Sequence, residues 1–175
     1  MINITMNGMD IKLPSGKSKS EYYNIFNVQV IRGGEVIHEE NYRNGVTNEG
    51  HNHALDCTFN VAAQQSWYIG LAAGTGVFSA TDTMASHAGW TENTSYSEGT
   101  RPAWGQGAAS GQAVTNGTAV DFSITASDTL KGLFLTSNNT KGGTTGILYA
   151  TAPLSPELSV TNGDTVRVTY TVSLA

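Results

Sequence analysis

After Asp164, Thr165-Val166-Arg167-Val168-Thr169-Tyr170-Thr171-Val172-Ser173-Leu174 alternates polar and apolar side chains without an exception. Successive Cβ atoms of an extended chain point to opposite sides, so this period of two marks a strand with one face in a core and one in water. Asn162-Gly163 just before it supplies a tight reversal into the sheet. The same grammar recurs. Tyr22 to Arg32 and Glu35 to Tyr42 flank Gly33-Gly34 as a hairpin, with Phe26, Val28 and Val30 on its inward face. Trp67 to Ala72 reads as a short apolar strand closed by Gly74-Thr75-Gly76. Ala119 to Thr125, Leu130 to Ser137 and Gly146 to Thr151 read as strands, with Asn138 to Gly146 as a glycine-rich loop among them. Short strands at this spacing predict a mainly β chain, an antiparallel β-sandwich or jelly roll.

One helix is expected, over Thr47 to Val61, with Thr47 as N-cap and Ala54, Leu55, Thr58 and Phe59 near one face; Gly50 weakens it. Asp82 to Ala88 is expected to make a single helical turn before Trp90. No fixed-period repeat is present.

The N-terminus reads differently. Ile2, Ile4 and Met6 alternate up to Asn7-Gly8, and Met9, Ile11 and Leu13 alternate after it, which predicts a small hairpin because Asn-Gly suits both positive-φ turn positions. Pro14 to Ser20 has nothing to bury and reads as a connection. Residues 1–20 are thus expected to be an arm and 21–175 the sandwich domain. Two placements stay open for the arm: leaning on the main domain or a partner, or adding edge strands to its own sheet.

A chain of 175 residues can bury about 70% of its unfolded surface, enough for one core. Cys57 is the single cysteine, so stability is expected from burial, backbone pairing or self-association, and synthesis in a cytoplasm. The first residues show no basic and then apolar secretory pattern, and no apolar run approaches the roughly 18 residues of a membrane span. The net charge of −5 arises from 9 basic and 14 acidic residues, with no Lys or Arg between Arg43 and Arg101. Nucleic-acid binding needs a basic stripe, which this distribution does not supply. Only 13% of residues are charged; the polar character comes from Ser, Thr, Asn, Gln and Gly.

Reactive constellations are sparse. His51, His53 and Cys57 are zinc-ligand types, and His53 and Cys57 fall on one helical face, but His51 diverges and no fourth ligand is evident. The competing expectation is surface histidines and a buried thiol, and no metal or cofactor is assigned. His87 has Ser86 and Asp82 nearby in sequence, without a nucleophile elbow. Glu92 and Glu98 are the only carboxylate pair near aromatic residues, Trp90, Tyr96 and Trp104. Those three aromatics fit a core, a subunit interface or a glycan-stacking platform. No catalytic residue is assigned, and the glycine pairs match no phosphate loop.

From Trp67 to Leu174 the chain resembles virion proteins of tailed bacteriophages and prophages. The matching pieces are Trp67-Tyr68-Ile69-Gly70-Leu71, Asp82 to Glu92 (Asp-Thr-Met-Ala-Ser-His-Ala-Gly-Trp-Thr-Glu), Thr100-Arg101-Pro102-Ala103-Trp104, Lys131-Gly132 and Thr140 to Gly146, with Asn44 to Gly50 similar as well. The resemblance implies a structural protein without an active site: a capsid decoration (cement) protein on the outer surface of the assembled head. Its implied partners are the major capsid protein and copies of itself, a trimer preferred over a dimer, with neither nucleic acid nor membrane. Lys12, Lys17 and Lys19 are the candidate capsid contacts. The alternative is a tail-associated or fibre-tip protein binding host glycan through Trp90, Tyr96 and Trp104.

Overall fold

The computed structural model describes residues 2–6, 9–13 and 22–174, with side chains from 24 to 173. Two short strands, β1 (Ile2–Met6) and β2 (Met9–Leu13), pair antiparallel in a sheet of their own, as the hairpin reading expected, rather than extending either larger sheet. The Asn7-Gly8 turn lies outside the described residues. The next elements are β3 (Tyr22–Arg32), β4 (Glu35–Arg43), β5 (Gly45–Val46), the helix α1 (Asn48–Phe59), β6 (Tyr68–Ala73) and β7 (Thr91–Asn93). They are followed by β8 (Ala113–Thr115), β9 (Val120–Ser123), β10 (Asp128–Thr136), β11 (Leu148–Val160) and β12 (Thr165–Leu174).

The fold is mainly β, built from antiparallel sheets. One sheet runs β4-β3-β12-β8, with β9 also on β12, and the other runs β5-β11-β10-β6-β7. The alternating stretch at the C-terminus forms the centre of the first sheet. Val166, Val168 and Tyr170 stand opposite Val30, Val28 and Phe26 of β3, and all six are almost completely buried. Phe26 and Tyr170 stack with ring centres 4.0 Å apart. The outer margin of β12 is shared end to end by β9 and β8. Between them the Asn116 amide donates to Val168 O and accepts the Tyr170 N–H at 2.8 Å, replacing the strand partner that the backbone lacks there.

Residues from both five-stranded sheets share one core, with Leu71, Leu133, Leu135 and Leu158 of the second sheet joining Phe26, Phe122 and Val168 of the first. Phe134, between two inward leucines, projects to the opposite face of β10. There it meets Trp90, Met84, Leu148 and Ala72 in a second, smaller core. Apolar side chains on both faces identify a strand covered on both sides. Gly70 lies opposite Phe134, and a Cβ there would fall 2.1 Å from its ring.

Two expectations need correction. Asp82 to Ala88 is not helical: Thr83 and Ser86 exchange backbone hydrogen bonds of 3.0 and 3.1 Å around Met84-Ala85, and the Thr83 Oγ1 accepts the Ser86 N–H as well. Local side-chain acceptors outcompeted the helical ladder. The strand expected at Gly146 to Thr151 instead continues to Val160. Its ladder slips between the Gly132–Pro153 and Leu130–Leu158 pairs, which leaves Leu154 to Glu157 opposite Lys131 alone. Pro156 sits within that bulge and Pro153 at its border, opposite Gly132.

Candidate functional site

Helix α1 is held at one end of the sheets by its first turn. The Thr47 hydroxyl accepts the Gly50 N–H at 3.0 Å and donates to the Leu148 carbonyl. The Glu49 carboxylate accepts the Leu148 N–H at 2.9 Å. Gly50 permits the approach, since a Cβ there would sit 2.2 Å from the Tyr149 carbonyl oxygen. The same glycine that weakens a helix by propensity is what lets this one dock.

Beneath the far half of α1 lies a groove of about 390 Å³, walled by helix, sheet ends and the segment after the helix. His53, Ala54 and Cys57 line the helix side, and Gln64, Gln65 and Trp67 the segment that follows. Val114, Val172 and Tyr149 form the sheet side, half-buried and packed against the main core. Among the described residues no Lys, Arg, Asp or Glu borders it. The Cys57 thiol lies 3.3 Å from His53 Nε2, and the His53 ring meets the edge of Trp67. Cys57 is half-buried rather than buried as expected. His51 is exposed and does not border the groove. Among the described residues no group of three His, Cys, Asp or Glu gathers as a metal site would require.

Trp90, Tyr96 and Trp104 are 2%, 3% and 5% exposed and belong to the two cores, the first of the three placements their sequence left open. Trp90 Nε1 donates to Asp82, and His87 stacks flat on Trp90 at 3.9 Å. Asp82 therefore orients an indole, not an imidazole, and with Ser86 makes no relay. Trp104 Nε1 donates to the Tyr170 carbonyl at 3.0 Å and comes no nearer to solvent than the groove floor. Burial first, then the Glu92 charge, pushes the Tyr96 phenol well above its ordinary range.

The carboxylates are likewise engaged in holding the chain together. Glu98 accepts the Ser123 N–H with both oxygens. Glu92 is gripped by Arg101 and also accepts the Gly142 N–H at 2.7 Å. Lys141 reaches back to the Tyr96 carbonyl at 2.7 Å and lies over its ring. Loop 138–146, glycine-rich as expected, is thereby tied to residues 92–101. Lys12 lies on β2 opposite Asn3, while Lys17 and Lys19 fall outside the described residues.

The groove escaped the sequence analysis because Trp67, Gln106 and Val172 are far apart along the chain and only the fold brings them together. Comparison with protein-family models, curated proteins and solved structures finds no match for this chain.

Proposed function

We propose that the protein is a structural component of a tailed-phage virion, a decoration protein with a sandwich of jelly-roll type that binds the outside of the assembled head as a homo-oligomer, preferentially a trimer. The observation that carries this reading is how the polar chemistry is used: Arg101, Glu92, Asp82 and Glu98 all serve as internal ties. A stiff body with a polar, charge-poor exterior suits repeated weak contacts on a lattice, where many copies add avidity. A protein that binds only the assembled lattice also stabilises it by mass action. Exposed apolar side chains at the β3–β4 tip, Val36 and Ile37, offer further contact surface. Lys12, Lys17 and Lys19 supply the charge that would meet an acidic capsid surface. Glycan recognition through Trp90, Tyr96 and Trp104 lacks an exposed ring to support it.

Co-sedimentation with purified, emptied heads tests the proposal. Saturable binding, weakened by Lys12→Glu, Lys17→Glu and Lys19→Glu together and by added salt, is the expected outcome. Heads that sediment free of the protein at every concentration would overturn it.

A further inference from the structure

We infer that the groove under α1 is covered by the chain's own N-terminal ribbon, β1 with β2. The register pairs Ile2 with Leu13, Ile4 with Ile11 and Met6 with Met9, and places Asn3–Lys12 and Thr5–Asp10 between them. The period of two then puts six apolar positions on one face of the ribbon and four polar positions on the other. A two-stranded ribbon with an open apolar face is not stable by itself in water, so that face needs a cover.

The groove has the matching character. Its sheet wall of Val114, Tyr149 and Val172 is apolar, and among the described residues no charged side chain borders it. Between the groove residues Cys57 and Gln64 the chain carries Phe59 and Val61, which are 83% and 95% exposed and add apolar side chains to the segment that walls the groove.

Tether length chooses the occupant. β3 begins at Tyr22 opposite Leu174, two residues from Asn24, which stands opposite the groove residue Val172. Residues 14–21 join β2 to β3, and eight extended residues reach at most about 26 Å. That reaches the near end of the body, whereas the far end of a strand as long as β11 lies about 40 Å away. A segment on so short a leash experiences its own groove at an effective concentration in the millimolar range, above that of a separate copy in dilute solution. With its apolar face down, the ribbon would turn Asn3, Thr5, Asp10 and Lys12 outward. This inference does not depend on the decoration reading.

Cys57, the single cysteine, borders the groove and reports its cover. In the full chain, iodoacetamide is expected to alkylate Cys57 about tenfold more slowly than in Ile4→Asp/Ile11→Asp, which places charge on the apolar face, because reaction must await opening. Asn3→Asp/Thr5→Asp, on the opposite face, should keep the slow rate. In a separate full-chain variant, Ile11→Cys is expected to form a disulfide with Cys57 within one chain on mild oxidation; this change needs no charge on the ribbon and decides the matter if the aspartate variant perturbs the body. Equal alkylation rates together with no cross-link would overturn the inference. Protection that fades on dilution, with cross-links between chains, would overturn it in favour of a neighbour's ribbon.

Discussion

Arg101 grips Glu92 with two parallel hydrogen bonds, Nε to Oε1 at 2.9 Å and Nη2 to Oε2 at 2.7 Å, and neither side chain is more than 8% exposed. The carbonyls of Asn138 and Gly143 accept two further hydrogen bonds from the guanidinium, and it lies over the Phe134 ring. One planar cation thus fastens loop 138–146, strand β7 through Glu92, and the second core at a single point. The forked geometry makes Arg irreplaceable by Lys here.

Arg101→Met should therefore lower stability by about 3–5 kcal/mol, since it strands a buried carboxylate and two carbonyls. Arg101→Met/Glu92→Leu should recover part of that loss, because the stranded charge goes with its partner. Urea denaturation of the two variants measures the difference. A double variant as unstable as the sum of both single losses would show that the pair does not act as a unit.

Trp104→Ala should behave as a core deletion. Removing a buried indole and its hydrogen bond to the Tyr170 carbonyl, which keeps the Thr115 hydroxyl as a donor, is expected to cost about 3–5 kcal/mol, seen as a fall in thermal midpoint. An unchanged midpoint would mean that the side chain is not packed as described.

Gly50→Ala sets propensity against packing. Alanine is ordinarily better than glycine in a helix by about 1 kcal/mol, yet here its methyl would collide with the Tyr149 carbonyl. A net loss of about 1–3 kcal/mol is expected, with α1 lifting from β11. Amide exchange of residues 48–59 should accelerate; a stabilised variant would refute the docking geometry.

Asp164 sets the acid limit of the first sheet. Arg32 binds it through two hydrogen bonds, and with the Thr161 N–H this holds the carboxyl at about 2, against an ordinary 3.8. A carboxyl depressed on folding contributes stability above its unfolded pKa and loses it as pH falls toward the folded value. Urea midpoints should thus drop between about pH 4 and pH 2, and Asp164→Asn should flatten that limb. An acid limb of the same steepness in Asp164→Asn would assign it to other carboxylates.

How much of this was legible in the sequence depends on the range of the interactions. β12, the β3–β4 hairpin and the Thr47 cap of α1 follow from neighbours along the chain, and they appear where alternation, Gly33-Gly34 and capping chemistry put them. Asp82 to Ala88 misled because helix propensity ignores the Thr83 hydroxyl and the distant Trp90 indole that captures Asp82. Pro153 and Pro156 look like strand terminators, and only the cross-strand slip at Lys131 reveals how they are accommodated. Trp90, Tyr96 and Trp104 could be classified as aromatic from sequence but not as inward, because the coil that carries them has no period to read. The groove and the Arg101–Glu92 clasp are long-range products of the fold.

Among the described residues no strand pairs with the outer backbone margin of β4, the end strand of the first sheet. It carries Glu35, Glu39, Glu40 and Arg43, and its pairing with β3 slips between Val30 and Ile31, so the margin is both charged and kinked. Such a border repels the flat, strand-by-strand joining that turns β proteins into fibres. Crowded copies of this molecule are therefore expected to resist the edge-to-edge stacking of strands that ends in a tangle.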